Sequence, residues 1–429
     1  MKPFMLPKGF LLGAATAATQ IEGGDKNNNW YDWCTRGKIR DGTSSLRAND
    51  HWNRYKEDIG LMKQLHIKVY RMGLEWSRIE PEKGQFSPAA IEHYRDEIKT
   101  LLRAGIRPLV TLHHFTHPLW LCREGEFENA SVVQYFERYV RYVVERLGDL
   151  VSEYITINEP NVYVGNGYFF GSWPPGKKSL RLMVKVYKNM TLCHIAAYKA
   201  IHEVRRKMKF PGKTMVGVAN HVCIFVPYDR RSPLDRIAAA VARLVLQDSV
   251  VAMMTRGEVP LPLRPFIHMK RGDYYDFIGV NYYQRRAMHF RGFKDDVLPD
   301  VPKNDLGWEI YPEGLEMLCR KYYRRYRVPI WITENGTCDN TDSFRARYIA
   351  DHLAAVKRAA DGGAKVERYY HWSIIDNFEW AEGESARFGL IYCDYETQRR
   401  TVKKSGRIYG EICEAGGVTE EIAVEIENA

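Results

Sequence analysis

Apolar residues gather in eight short runs along the chain, at residues 10–16, 69–74, 107–112, 154–157, 215–219, 277–280, 330–333 and 366–370. Several are continuous rather than alternating, the pattern of parallel strands buried on both faces. Between the runs the apolar spacing becomes helical. Residues 131–147 carry Val132, Val133, Phe136, Tyr139, Val140, Val143, Val144 and Leu147 on one broad stripe, and residues 345–360 behave similarly. Strands alternating with helices eight times predict an α/β protein, a closed (β/α)8 TIM barrel, rather than an open doubly wound sheet. No Gly-x-Gly-x-x-Gly follows a run at the offset that dinucleotide binding needs. Without a low-complexity linker or repeat, residues 1–429 read as one barrel domain with its core at about 9–412. The acidic tail, 416–429, is expected to be loosely ordered.

Polar and aromatic groups stand directly after each run: Gln20 and Glu22, Glu75 and Trp76, His113 and His114, Asn158 and Glu159, Asn220 and His221, Asn281 with Tyr282 and Tyr283, Glu334 and Asn335, His371 and Trp372. In a barrel these points share one mouth, where active sites form.

Two of the clusters end a strand on a glutamate and then break, Glu159 at Pro160 and Glu334 at Gly336. A carboxyl group leaving a core can be tuned for chemistry, and a pair is the minimum for cleaving a glycosidic bond. Capping or salt-bridged glutamates are the plainer alternative. Asn158 can reach a substrate hydroxyl only if the backbone bends at the rim. Of the adjacent His113 and His114, only one can face a cleft. Arg71, inside the second run, needs an anion, which Glu334 or another rim carboxylate would supply. Around Glu379, Trp372 and Trp380 suit a sugar, whose apolar face stacks on indole while a carboxylate grips paired hydroxyls.

The formal net charge is +10, but the basic residues lie in short scattered clusters mixed with acids, with no zinc-finger spacing or RNA-binding signature. No nucleic-acid partner is expected. No His-Glu-x-x-His or ligand-spaced acidic cluster is present, so no metal and no cofactor are expected. The 8 cysteines are spread singly, which reads as free thiols in a reducing cytoplasm. The run at 10–16 resembles a signal peptide core, yet Pro3 and Pro7 interrupt its lead-in, and a first core strand is the better reading. No unbroken apolar run approaches about 18 residues, so no membrane contact is expected.

The chain resembles family one of the glycoside hydrolases, the β-glucosidase-type enzymes, from Phe10 to about Gly410. The motifs are the segment from Phe10 to Gly23, Asp50-His51-Trp52-Asn53-Arg54-Tyr55, Thr156-Ile157-Asn158-Glu159-Pro160, Asp276-Phe277-Ile278-Gly279-Val280-Asn281-Tyr282-Tyr283, Gly307-Trp308-Glu309, Ile332-Thr333-Glu334-Asn335-Gly336, and Trp372 to Trp380. The resemblance implies a retaining, exo-acting β-glycosidase working by double displacement on terminal residues of unphosphorylated β-glycosides and oligosaccharides. It implies Glu159 as acid/base and Glu334 as nucleophile, supported by Arg71, Asn281 and Tyr283. It implies Gln20, His114, Asn158, Trp372, Glu379 and Trp380 as sugar-binding residues. Retention requires the carboxyl groups to lie about 5–5.5 Å apart. After His114 the family often has Trp-Asp, whereas Phe115-Thr116-His117 stands here, which bears on the leaving-group side. A non-catalytic sugar-binding barrel and a transglycosylase are the competing readings. A nitrophenyl β-glucoside assay separates the first, and product analysis the second.

Overall fold

A computed structural model describes residues 1–261, 264 and 267–428. All eight runs are strands: β1 Leu11–Ala15, β2 Val69–Gly73, β3 Arg107–Thr111, β4 Glu153–Asn158, β5 Met215–Pro227, β6 Ile278–His289, β7 Ile330–Asn335 and β8 Val366–Trp372. They pair in parallel in chain order, and β8 closes the sheet onto β1 through Tyr370↔Gly13 and its neighbours. The architecture is the expected (β/α)8 barrel. Every residue of β2, β4 and β7 is buried, which the continuous apolar runs anticipate.

Helices surround the barrel with one face inward. Val132–Leu147 buries Val132, Phe136, Tyr139, Val140, Val143, Val144 and Leu147, all spaced for one stripe, while Val133 packs only at its margin. Pro88–Arg103 begins on Ser87, whose side chain accepts from the Ala90 amide, with proline in the first turn where no amide hydrogen is needed.

Two strands overrun their expected ends. β5 and β6 continue past the barrel rim and pair there with each other, Ile224↔Arg285 to Pro227↔Met288. Asn220 and His221 punctuate the apolar pattern without breaking it, because Val222, Cys223, Ile224, Phe225 and Val226 extend it. The helix Pro233–Arg243 covers this extension, packing Ala238, Ala239 and Ala242 against Phe225 and Met288.

The acidic tail departs from the loose order expected of it. Gly417–Val418 pairs antiparallel with Phe4–Met5, and Glu420–Glu427 is a helix capped by Thr419 that buries Ile422, Ala423 and Ile426. Its acids occupy the outer face, so net composition concealed an apolar stripe. All eight cysteines are free, and six of them are buried.

Candidate active site

The C-terminal ends of the strands converge on a cavity of about 230 Å³, lined by Glu159, Glu334, His114, Trp372, Glu379 and Trp380 among others. Glu159 follows the last residue of β4 in a left-handed conformation, φ 41°, and Pro160 starts the next helix at once. The bend turns Glu159 away from the strand's alternation and into the mouth. Glu334 lies inside β7, and the residue two on from it is a glycine by necessity. A Cβ on Gly336 would stand 1.8 Å from the Trp372 carbonyl oxygen.

The two carboxylates have different partners. Glu334 accepts from Arg71 Nη1 at 2.6 Å and from the Tyr283 hydroxyl at 2.5 Å. Glu159 accepts from the Asn281 amide at 2.8 Å, with His221 Nδ1 at 3.4 Å. Burial pushes the Glu334 carboxyl up to about 7 against the pull of Arg71, and the Glu159 charge adds to the rise. The charge-stabilising donors, a guanidinium and a phenol, gather on Glu334, whereas Glu159 meets the Asn281 amide. Burial and the neighbouring carboxylates hold the Tyr283 hydroxyl protonated, well above its ordinary range.

Beneath the cavity lies a buried network. Arg71 Nη2 donates to Asn158 Oδ1 at 2.7 Å, and its Nε donates to Thr111 at 3.0 Å. Asn281 Nδ2 also reaches Asn158 Oδ1, at 3.1 Å, and Thr333 donates to Asn281 Oδ1 at 2.6 Å. Asn158 Nδ2 donates to His114 Nε2 at 2.9 Å. Burial, with Arg71 and His113 nearby, holds His114 well below its ordinary range, so the ring is neutral. With Nε2 accepting, its proton sits on Nδ1, a buried donor with no protein partner. His113 points away, behind the rim, stacked on His117 at 5.9 Å.

On the β8 side, Trp372 Nε1 donates to Glu379 at 2.9 Å, and burial pushes Glu379 up to about 8. Gln20 donates to Asn377 and to the Phe378 carbonyl, both at 2.8 Å, while its own Oε1 is buried without a partner. Trp380 stacks among Trp30, Phe115 and His114, with ring centroids 4.7 to 5.8 Å apart.

The structure therefore brings together every residue that the family resemblance implies at the site, in two tiers. Glu159, Glu334, His114, Tyr283, Trp372, Glu379 and Trp380 line the cavity. Arg71, Asn158, Asn281 and Gln20, each 0% exposed, stand behind them. Two rim clusters serve the framework: Glu22 accepts from Arg78 and Tyr94, and Glu75 from Thr19, Ser77 and Thr116. Phe115, Trp173, His221 and Trp308 also line the cavity. His221 follows β5 and Trp308 lies in the Gly307-Trp308-Glu309 motif, so both had a signal in the chain, but Trp173 arrives from a loop without one. Outside the cavity, His117, Cys122 and Glu126 bring donor atoms within 4.8 Å of one another. Glu126 is there the acceptor of the Tyr163 and Tyr168 hydroxyls.

A carboxylate pair in an aromatic-walled cavity at the mouth of a (β/α)8 barrel is the equipment of a glycoside hydrolase. The model described as Glycosyl hydrolase family 1 matches residues 3–418, and the chain belongs to that family. It is 32% identical to β-glucosidase A of Thermotoga maritima, covering 96% of this chain and 98% of that protein. It is 31% identical to a β-galactosidase of Sulfolobus acidocaldarius, covering 97% and 96%. Among solved structures, a β-glycosidase from Pyrococcus horikoshii superposes with a TM-score of 0.90 at 34% identity, covering 99% and 98%. The Thermotoga maritima family 1 β-glucosidase gives 0.90 at 31% identity, covering 98% and 100%.

Proposed function

We propose that the protein is a retaining, exo-acting β-glycosidase of β-glucosidase type, taking terminal residues from unphosphorylated β-glycosides and oligosaccharides. The asymmetry of the carboxylates carries this reading: Arg71 and Tyr283 converge on Glu334, while Glu159 accepts from the Asn281 amide with His221 at 3.4 Å. Glu334 attacks the anomeric carbon. Glu159 gives its proton to the leaving oxygen as the glycosidic bond breaks. Water then attacks the glycosyl ester, Glu159 takes the water proton, and Glu334 leaves as carboxylate.

Arg71 and Tyr283 hold the nucleophile, and Asn281 orients Glu159. His114 Nδ1 and Gln20 Oε1, each buried and unpartnered, together with Glu379 are groups that sugar hydroxyls can satisfy. Asn158 aligns His114 and Arg71 from behind. Glu379 and Glu382 on the cavity wall favour hydroxyls over a phosphate. Free cysteines support work in the cytoplasm.

Azide separates the roles. Glu159→Ala should keep glycosylation by activated nitrophenyl glycosides, stall on deglycosylation, and regain turnover with azide as a β-glycosyl azide. Glu334→Ala should lose at least about 10⁴-fold in kcat and yield the α-azide by a single displacement. The opposite products would exchange the two roles, and unimpaired variants would refute the mechanism.

A further inference from the structure

The helical segment Pro233–Arg256 packs inside out. Small residues, Ala238, Ala239 and Ala242, face the protein. Large ones face outward: Leu234, Ile237, Val241, Leu244 and Val245 are between 40% and 58% exposed. Their spacing of three, four and one residues forms a single stripe about 17 Å long. Beside it Phe290 and Phe293 are 48% and 43% exposed, and the Phe290 amide donates to Asp235 at 2.9 Å, fixing them to the first turn of the helix. Contiguous exposed apolar surface of this kind marks an interaction site.

The segment is apolar enough to cross a bilayer, with a mean hydropathy of 1.6 over its best window, but half of that window is buried in the protein. Gln247 is spent on the Cys223 amide and the Tyr322 hydroxyl, and Asp248 on Lys321. Such a helix lies on a surface and does not span it. Around the stripe basic residues outnumber acids, and Asp229 and Asp235 are taken up by backbone amides and Asp295 by Arg286. Arg230, Arg231 and Arg236 are exposed and make no ion pair among the described residues, and Arg243 reaches Asp248 only at 4.0 Å. Pairing two copies through this stripe about a two-fold axis would set one arginine fringe against the other. An anionic surface with an apolar interior meets both features.

We propose that this face docks the enzyme onto an anionic lipid bilayer, with the helix in the plane of the interface. The helix rides on the extension of β5 and β6, and Gln284 and Arg286 of β6 line the cavity, so docking holds the mouth beside the lipid surface. Docking of this kind is independent of which glycoside the cavity takes. Docking would reverse the expectation of no membrane contact, which rested on the lack of an unbroken apolar run and took no account of which face the fold leaves bare.

The full chain should float with vesicles of phosphatidylcholine and phosphatidylglycerol at physiological salt, and far less with phosphatidylcholine alone. An arginine near an anionic surface is worth about fivefold in partition, so Arg236→Glu with Arg243→Glu should weaken flotation by more than about tenfold. Ile237→Glu with Val241→Glu and Leu244→Glu should weaken it by more than about tenfold while hydrolysis of a soluble nitrophenyl glycoside is unchanged. The arginine pair keeps the test valid if the triple variant misfolds. Absence of flotation would overturn docking, as would triple and arginine variants that float like the parent. A dimer seen by light scattering, dissolved by the triple variant and unaccompanied by flotation, would make a second copy the occupant instead.

Discussion

The cavity and the outer helix depart from the usual partition of side chains in opposite directions. At the cavity, polar groups are buried: Arg71, Asn158, Asn281 and Gln20 have no exposed surface. On the helix Pro233–Arg243, large apolar groups are exposed. The buried polar set is nearly complete in itself, because Arg71, Asn158 and Asn281 satisfy one another and hold the two carboxylates. Its unpartnered atoms, on Gln20 and His114, point to a small polar ligand. Among the described residues nothing covers the exposed apolar stripe, which is why a large apolar partner is proposed for it. Unsatisfied hydrogen-bonding capacity and uncovered hydrocarbon thus report two different ligands.

Removing the centre of the polar network should have the largest effect. Arg71→Met keeps the volume but strands Glu334, Asn158 and Thr111. It should lower stability by about 3–5 kcal/mol, measured by denaturant unfolding. A loss no greater than that of a surface change would mean that the cavity and the outer helix do not differ in the way described. In the parent, the acid limb of kcat/KM should lie near 7, because the nucleophile must ionise and burial raises Glu334 to about that value. Arg71 opposes that rise, so any active Arg71→Met enzyme should have its limb at higher pH.

Glu379 tests the sugar side. Glu379→Ala should lose roughly 1–3 kcal/mol of transition-state stabilisation in kcat/KM, the cost of leaving sugar hydroxyls without their buried partner. Its carboxyl is raised to about 8 in the fold from an ordinary 4.5. The folded state therefore binds this proton more tightly than the unfolded chain. The associated stability is complete below the ordinary value and is lost as pH rises through about 8. Melting curves should show the parent falling relative to Glu379→Gln between mildly acidic and mildly alkaline pH. Parallel curves would place the carboxylate in a wetter, better compensated site.

The helix gives the smallest effects and the clearest contrast between its faces. Ala239→Leu would overpack the inner face against Phe225 and Met288 and should cost about 1–3 kcal/mol. Ile237→Ser, on the outer face, should stay within about 0.5 kcal/mol. A large loss at Ile237 would mean that the chain itself covers the stripe.

Much of this was legible in the sequence. Continuous apolar runs specified eight buried parallel strands, and helical spacing between them specified the barrel, because strand and helix periods are local properties. Placing polar residues directly after each strand collected Glu159, Glu334, His114 and Trp372 at one mouth, since a barrel puts all strand ends on one rim, and the aromatic segment that follows the last strand added Glu379. Tertiary structure alone decided the rest. It chose His114 over His113, assigned Arg71 to Glu334, sent Glu22 and Glu75 to framework contacts, and carried Trp173 in from a loop. It extended β5 and β6 past the rim and turned the alanines of Pro233–Arg243 inward, leaving its large apolar residues bare. A pattern in the chain tells that a helix has two faces. Only packing tells which face finds a neighbour, because burial and hydrogen bonding are relations between segments far apart in sequence.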